Sequence, residues 1–257
     1  MHLRSDGILY VFRVTKMYLC RKEVFSAALV RLFSAIGYGG ADFVIIDLEH
    51  GPNTIRSAQN LVRAAELSGM FPIIRVKDCE SSTMAEALDI GAAGIQVPQI
   101  QCKEDALKVI EKTKFSPIGE RGVCRFVRAA KYSATPRYEY FSKANQSVVI
   151  LQVEGKEGID NLDEILTVDG IDIIFIGPYD LSQSLGMVGN IDHPSVQEKM
   201  LETIRKCNQK GIAVGTFTDT VENAVKWRNC GVKYIAHSVD VGIFMQAVKD
   251  IVTDIRI

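Results

Sequence analysis

Short apolar, β-branched runs recur along this chain, and between them lie stretches with the period of a helix. From residue 41 the runs fall at 42–47, 72–76, 94–98, 148–154, 172–177, 212–217 and 234–238. The helix-like stretches fall at 54–68, 82–90, 103–113, 161–167, 195–210, 221–229 and 241–251. Strand and helix in alternation predict repeated βα units and a parallel sheet. Gly69, Gly91, Gly211 and Gly231 strengthen the cadence, because each stands where a helix ends in a left-handed residue before the next strand.

An eighth strand is available at 9–14, followed by a helix over 23–36. Residues 1–40 form an irregular first βα unit: 15–22 mix basic and apolar residues, and Gly37, Tyr38, Gly39 and Gly40 make a loose connection. With 257 residues, 47% of them hydrophobic, the chain can bury one large core. That size suits a single (β/α)8 TIM barrel over residues 1–257 better than two domains. One connection, 114–145, is long and carries Arg121, Arg125, Arg128 and Lys131. A loop of that length is functional or covers an interface. Its arginines are either solvated or, for Arg121 and Arg125, directed at a substrate anion or a neighbouring subunit.

A net charge of −1 leaves no basic excess for a phosphate backbone or an anionic membrane surface, so small-molecule chemistry is expected rather than nucleic-acid or membrane binding. The six cysteines form no CxxC pair and no metal-like cluster with the four histidines. No apolar run approaches the roughly 20 residues of a membrane span, so the chain is expected to be soluble and cytoplasmic.

In a parallel barrel the reacting groups stand at the carboxyl ends of the strands. Counting 9–14 as the first, the second strand delivers Asp47, Glu49 and His50, the third Arg75, the fifth Gln152 and Glu154, and the sixth Gly177, Pro178 and Asp180. Glu154 and Asp180 are hard oxygen donors suited to Mg²⁺ or Mn²⁺. The alternative for each is a solvated loop acid or a helix cap, with Asp180 capping 181–185. Arg75 can stabilise a developing enolate or join a salt bridge with a nearby acid. His50 and Asp47 can form a proton-transfer pair, the carboxylate fixing the imidazole tautomer, or His50 can sit hydrogen-bonded in a turn. The amides of Tyr179 and Asp180, after the Gly177–Pro178 turn, are candidates to hold a carboxylate. Lys77 is the one strand-end lysine available to a Schiff-base route. Trp227 reads as packing, His193 as the start of the helix from Ser195, and His237 as a core hydrogen-bonding residue.

Together, the segments 43–53, 72–75, 119–122, 151–154 and 175–182, with Gly189–Asn190 and His193–Pro194, resemble the HpcH/HpaI aldolase family. These are class II, metal-dependent pyruvate aldolases, including 4-hydroxy-2-oxoheptanedioate and 2-keto-3-deoxy sugar acid aldolases. The resemblance runs from about residue 32 to the C-terminus. It implies that Glu154 and Asp180 bind a divalent metal, Mg²⁺ or Mn²⁺ with Co²⁺ as a further candidate. It assigns Arg75 to the keto oxygen, His50 with Asp47 to the hydroxyl proton, Gln152 to the neighbourhood of the metal-bound substrate, and the backbone after Gly177 and Pro178 to the pyruvyl carboxylate. Phe217 falls where the family often shapes the aldehyde pocket. The substrates implied are a small 2-oxo acid and an aldehyde. The oligomer implied is a homo-hexamer in which the last helix is exchanged between barrels. The irregular first unit and His237 depart from the family pattern. Two other functions stay open: a citrate-lyase-like enzyme acting on a CoA thioester, and a silent barrel that binds a 2-oxo acid.

Overall fold

The computed structural model describes residues 9–14, 24–80 and 82–256. Eight parallel strands close into a barrel in sequence order. They are β1 Leu9–Val14, β2 Phe43–Asp47, β3 Phe71–Arg75, β4 Gly94–Val97, β5 Val148–Val153, β6 Ile173–Ile176, β7 Ala213–Thr218 and β8 Tyr234–Val239. The expected first strand is present and closes the ring, pairing with β2 on one side and β8 on the other. The irregular stretch 15–22 lies outside the described residues.

The helices are α1 Val24–Tyr38, α2 Ile55–Leu67, α3 Thr83–Asp89, α4 Lys103–Thr113, α5 Arg137–Ala144, α6 Lys156–Asp160, α7 Leu162–Ile165, α8 Pro178–Ser184, α9 Pro194–Gln209, α10 Val221–Asn229 and α11 Asp240–Ile255. Two of them, α5 and α6, were not expected: α5 falls within the long connection, and α6 carries Gly158, which reads as a breaker. α8 starts ahead of the expected 181–185, with Pro178 as its first residue. Pro is at home in that position, where its missing N–H would be unpaired anyway. Among the described residues, no helix is long and apolar enough to cross a membrane.

Side chains of a strand alternate between two faces, and here the two faces meet different surroundings. Val44, Ile46, Ile74, Ile95, Val149, Leu151, Ile174 and Ile235 point outward and pack with Leu61, Val62, Met84, Val109, Ile204 and Trp227 of the helices. Phe43, Ile45, Ile73, Ile150, Ile173, Phe175, Tyr234 and Ala236 point inward and fill the barrel itself. Phe43 and Tyr234 stack there with ring centroids 4.0 Å apart. Following the inward positions toward the carboxyl ends leads from these apolar residues to Asp47, Arg75, Gln96 and Gln152.

The connection 114–147 folds across the amino-terminal end of the barrel. Lys114 Nζ donates to the carbonyls of Asn145 and Ser147. Arg128 reaches Glu66 and the Ile90 carbonyl, at the far ends of α2 and α3. Arg121 is buried and paired with Asp89 at 2.6 Å. The solvated reading of Arg121 and its contact with a substrate anion in its own barrel are therefore both corrected: the side chain is buried, and α3 ends beside the amino ends of the strands, away from their carboxyl ends.

Gly215 makes room inside the barrel for the buried Tyr234. A Cβ at Gly215 would lie 2.6 Å from Tyr234 Cδ1 and 2.9 Å from Phe175 Cδ2. Gly215→Ala is therefore expected to lower stability by about 1–3 kcal/mol through overpacking, read as a lower midpoint in chemical denaturation with an unchanged slope.

Candidate active site

Asp47 is the last residue of β2, and Arg75 is its register partner at the end of β3. Both point inward and are buried. Arg75 donates Nε to Asp47 Oδ1 at 2.8 Å and Nη2 to Oδ2 at 2.6 Å, a planar two-point pairing. Its third nitrogen, Nη1, lies 2.8 Å from Glu49 Oε2. The same Asp47 oxygen Oδ1 accepts the backbone N–H of Glu49 at 3.1 Å and of His50 at 3.4 Å. Asn53 Nδ2 donates to the Asp47 carbonyl. Asp47 thus ties the loop after β2 to the guanidinium.

This alters the expected Asp47–His50 pair. The Asp47 carboxylate is engaged by Arg75, and it meets His50 through the backbone amide. The His50 imidazole is 62% exposed, with Nε2 3.8 Å from Glu49 Oε2. Of the two readings of Arg75, the salt bridge is present.

Across the barrel interior, Gln152 of β5 donates Nε2 to Glu154 Oε2, and Gln96 of β4 donates Nε2 to Gln152 Oε1. The other Glu154 oxygen, Oε1, accepts the backbone N–H of Gln99 at 3.1 Å. Glu154 is only 6% exposed. Burial pushes its carboxyl up to about 7; the Gln152 hydrogen bond opposes that rise, and the neighbouring Asp180 carboxylate adds to it. Asp180 stands in the first turn of α8, whose N-cap is Gly177, so its expected role as the cap is corrected.

Gly177 lies between the two acids. A Cβ built there would sit 2.6 Å from Glu154 Oε2 and 3.6 Å from Asp180 Oδ2. Two carboxylates facing one gap, one of them driven toward its neutral form, suit a hard divalent cation, which would neutralise both. Among the described residues, no third His, Cys, Asp or Glu joins them in a cluster. Two carboxylates leave the remaining coordination positions of Mg²⁺ or Mn²⁺ to water and substrate.

At the rim, the Tyr179 hydroxyl donates to Asp219, and its ring lies 6.2 Å from that of Phe217. Burial, with Asp219 as a further cause, raises the Tyr179 phenol to about 12, so it stays protonated as a donor. His237 is half-buried with Nδ1 3.3 Å from Thr218 Oγ1, and burial lowers its pKa toward the neutral ring. His193 caps α9, its Nδ1 accepting the Ser195 N–H at 3.2 Å. Trp227 is packing. Lys77 is exposed, without the burial a Schiff-base lysine needs.

The sequence model of the HpcH/HpaI aldolase/citrate lyase family matches residues 25–247. The chain belongs to this family. It is 36% identical over 217 residues to a hydroxypyruvate/pyruvate aldolase of Roseobacter denitrificans, covering 84% of each chain. It is 38% identical over 213 residues to a 2-keto-3-deoxy-L-rhamnonate aldolase of Escherichia coli, covering 81% of this chain and 78% of that one. A crystal structure of an HpcH/HpaI aldolase/citrate lyase family protein from Burkholderia cenocepacia superposes with a TM-score of 0.88 at 32% identity, over 99% of this chain and 96% of that one. The protein is thus an aldolase, a carbon–carbon lyase, of a divalent-metal-dependent class.

Two participants escaped the sequence reading, Gln96 and Gln99. The run at 94–98 ends in no charged residue, and attention to strand-end charges passed over it. Counting inward positions from Gly94 would have found Gln96, a polar side chain at a buried position of a four-residue strand.

The raised Glu154 carboxyl fixes the sign of a pH effect. A folded pKa of about 7 against an ordinary 4.5 means that the protonated form stabilises the metal-free fold. That contribution is full below pH 4.5 and is lost as pH rises to about 7, on the order of 3 kcal/mol. Denaturation midpoints in chelator are expected to fall across this window, and saturating Mn²⁺ to abolish the fall.

Proposed function

We propose that this aldolase reversibly cleaves the C3–C4 bond of a 4-hydroxy-2-oxo acid to pyruvate, or a close 2-oxo acid, and an aldehyde. The observation that carries the reading is the gap at Gly177 between the Glu154 and Asp180 carboxylates, in a barrel mouth that also holds the Arg75 guanidinium. Glu154 and Asp180 would hold Mg²⁺ or Mn²⁺, with Co²⁺ as a substitute. A cation bound there supplies Lewis acidity toward the carboxylate and 2-oxo oxygens of the substrate.

The chain's own residues do the rest. The N–H groups of Tyr179 and Asp180, in the first turn of α8, have no intrahelical partner and take the substrate carboxylate. Gln152 orients Glu154 beside the bound oxo acid. Arg75, which cannot lose its charge, faces the 2-oxo oxygen as negative charge develops there, and Asp47 and Glu49 hold its plane. His50 at the mouth takes the 4-hydroxyl proton as the C3–C4 electron pair moves into the C2–C3 bond of the enolate. The departing C4 becomes the aldehyde carbon, and protonation at C3 completes pyruvate. Phe217 and Tyr179 form the wall facing the aldehyde. The keto-deoxy sugar acid for which the Escherichia coli relative is named favours an aldol of this kind over cleavage of a CoA thioester.

We infer further that the enzyme is a homo-oligomer whose last helix docks on a neighbouring barrel, a hexamer by family resemblance. α11 leaves Phe244 68%, Met245 67%, Ile251 57% and Ile255 78% exposed. An apolar face of this extent marks an interaction surface.

Chelation with EDTA is expected to stop pyruvate release from a panel of 4-hydroxy-2-oxo acids, with Mg²⁺ or Mn²⁺ restoring it and borohydride trapping nothing. Arg75→Lys should lower kcat by about 100-fold; activity that survives in chelator and is trapped by borohydride would move the chemistry to a lysine. Phe244→Asp combined with Ile251→Asp should reduce the mass by light scattering to that of one chain, whereas a wild-type monomer would refute the assembly.

A further inference from the structure

Glu154 is held from the neighbouring strand as well as from its own. An amide such as Gln152 can turn either its oxygen or its NH₂ toward a carboxylate, and only the NH₂ suits it. Gln96 donates its own NH₂ to Gln152 Oε1, which leaves Gln152 Nε2 facing Glu154. Gln96 is 1% and Gln152 2% exposed, so water does not compete at either amide. The second Glu154 oxygen is met by the Gln99 N–H. Gln99 presents it from a φ of 58°, a left-handed conformation that a residue with a Cβ rarely adopts.

Packing alone does not account for Gln96. Its neighbours on the strand are Ile95 and Val97, both fully buried. Its Oε1 is buried with no hydrogen-bond partner among the described residues. An apolar side chain would fill this place without that desolvation cost. We propose that Gln96, together with the backbone of Gln99, is a positioning residue that fixes the Gln152 amide and, through it, sets the Glu154 carboxylate to receive the divalent cation. The inference rests on the reading of Glu154 and Asp180 as the cation's ligands. It adds the carboxyl end of β4 to a site otherwise built from β2, β3, β5, β6 and β7. Gln96 acts through another residue and touches neither substrate nor cation.

Mn²⁺ titrated calorimetrically into the chelator-treated full chain tests this without any turnover. Gln96→Met keeps the length of the side chain and removes both polar atoms, and Gln96→Leu is the second variant. Each is expected to weaken Mn²⁺ binding roughly tenfold, the scale for groups that orient a metal ligand, with a thermal midpoint equal to or above that of the parent. Gln152→Met should weaken binding at least as much. The double variant Gln96→Met/Gln152→Met should be no weaker than Gln152→Met alone, because the first residue works through the second. Unchanged Mn²⁺ affinity in both Gln96 variants, an additive double variant, or failure of both Gln96 variants to fold would overturn the positioning role. Glu154→Gln separates the two levels. If it binds Mn²⁺ like the parent, the cation site itself is misassigned; if it loses Mn²⁺ while both Gln96 variants keep it, only the role of Gln96 falls.

Discussion

Closing eight strands into a ring sends every second side chain into a space that must be filled, and the rest of this protein follows from that constraint. The inward residues at the amino-terminal side are far from water, so Phe43, Ile45, Ile73, Ile150, Ile173 and Tyr234 make an apolar plug. Two residues further along the same strands the interior opens at the carboxyl ends. There Asp47, Arg75, Gln96 and Gln152 occupy the next inward positions, and Glu154 follows Gln152. The site is the upper layer of the barrel's own packing pattern, and the outer helices hold it in register.

Within that layer, charge is distributed unevenly. Arg75 is surrounded by Asp47 and Glu49, so its cost of burial is offset by two acids, and its plane is fixed by a two-point contact. Among the described residues, no arginine or lysine pairs with Glu154 or Asp180, and burial with repulsion from Asp180 drives the Glu154 carboxyl up to about 7. A cationic arginine already satisfied and two acids left in competition are complementary halves. The first is rigid before any substrate arrives. The second is stabilised when positive charge is added, which is what a divalent-metal aldolase requires of its protein.

The reading of strand ends located most of these residues, because an acid or arginine closing a short apolar run is visible in one dimension. Asp47, Arg75, Glu154 and Asp180 were legible in that way, and Gln152 as the polar residue two before Glu154. Pairings were less so. Asp47 lies three residues from His50 and 28 from Arg75, yet its carboxylate is taken by Arg75, because β2 and β3 are register partners and the loop turns the imidazole outward. Arg121, read as a candidate for a substrate anion, pairs with Asp89 at the opposite end of the barrel, since the long connection returns to the foot of β5. Gln96 carries no charge and ends no run, so its only mark in the sequence is a polar residue at an inward position of β4.

The sequence by itself determined the alternation of strand and helix, the barrel it closes into, and the family of chemistry, because these depend on periodicity and on residues adjacent along the chain. Only the tertiary structure decided which partner each polar group takes: Arg75 for Asp47 and Glu49, Gln96 for Gln152, and Gln99 for Glu154. The physical reason is that hydrogen bonds and ion pairs act over a few ångströms. Strand register and the inward turn of alternate side chains, which bring distant residues within that range, exist only once the ring has closed.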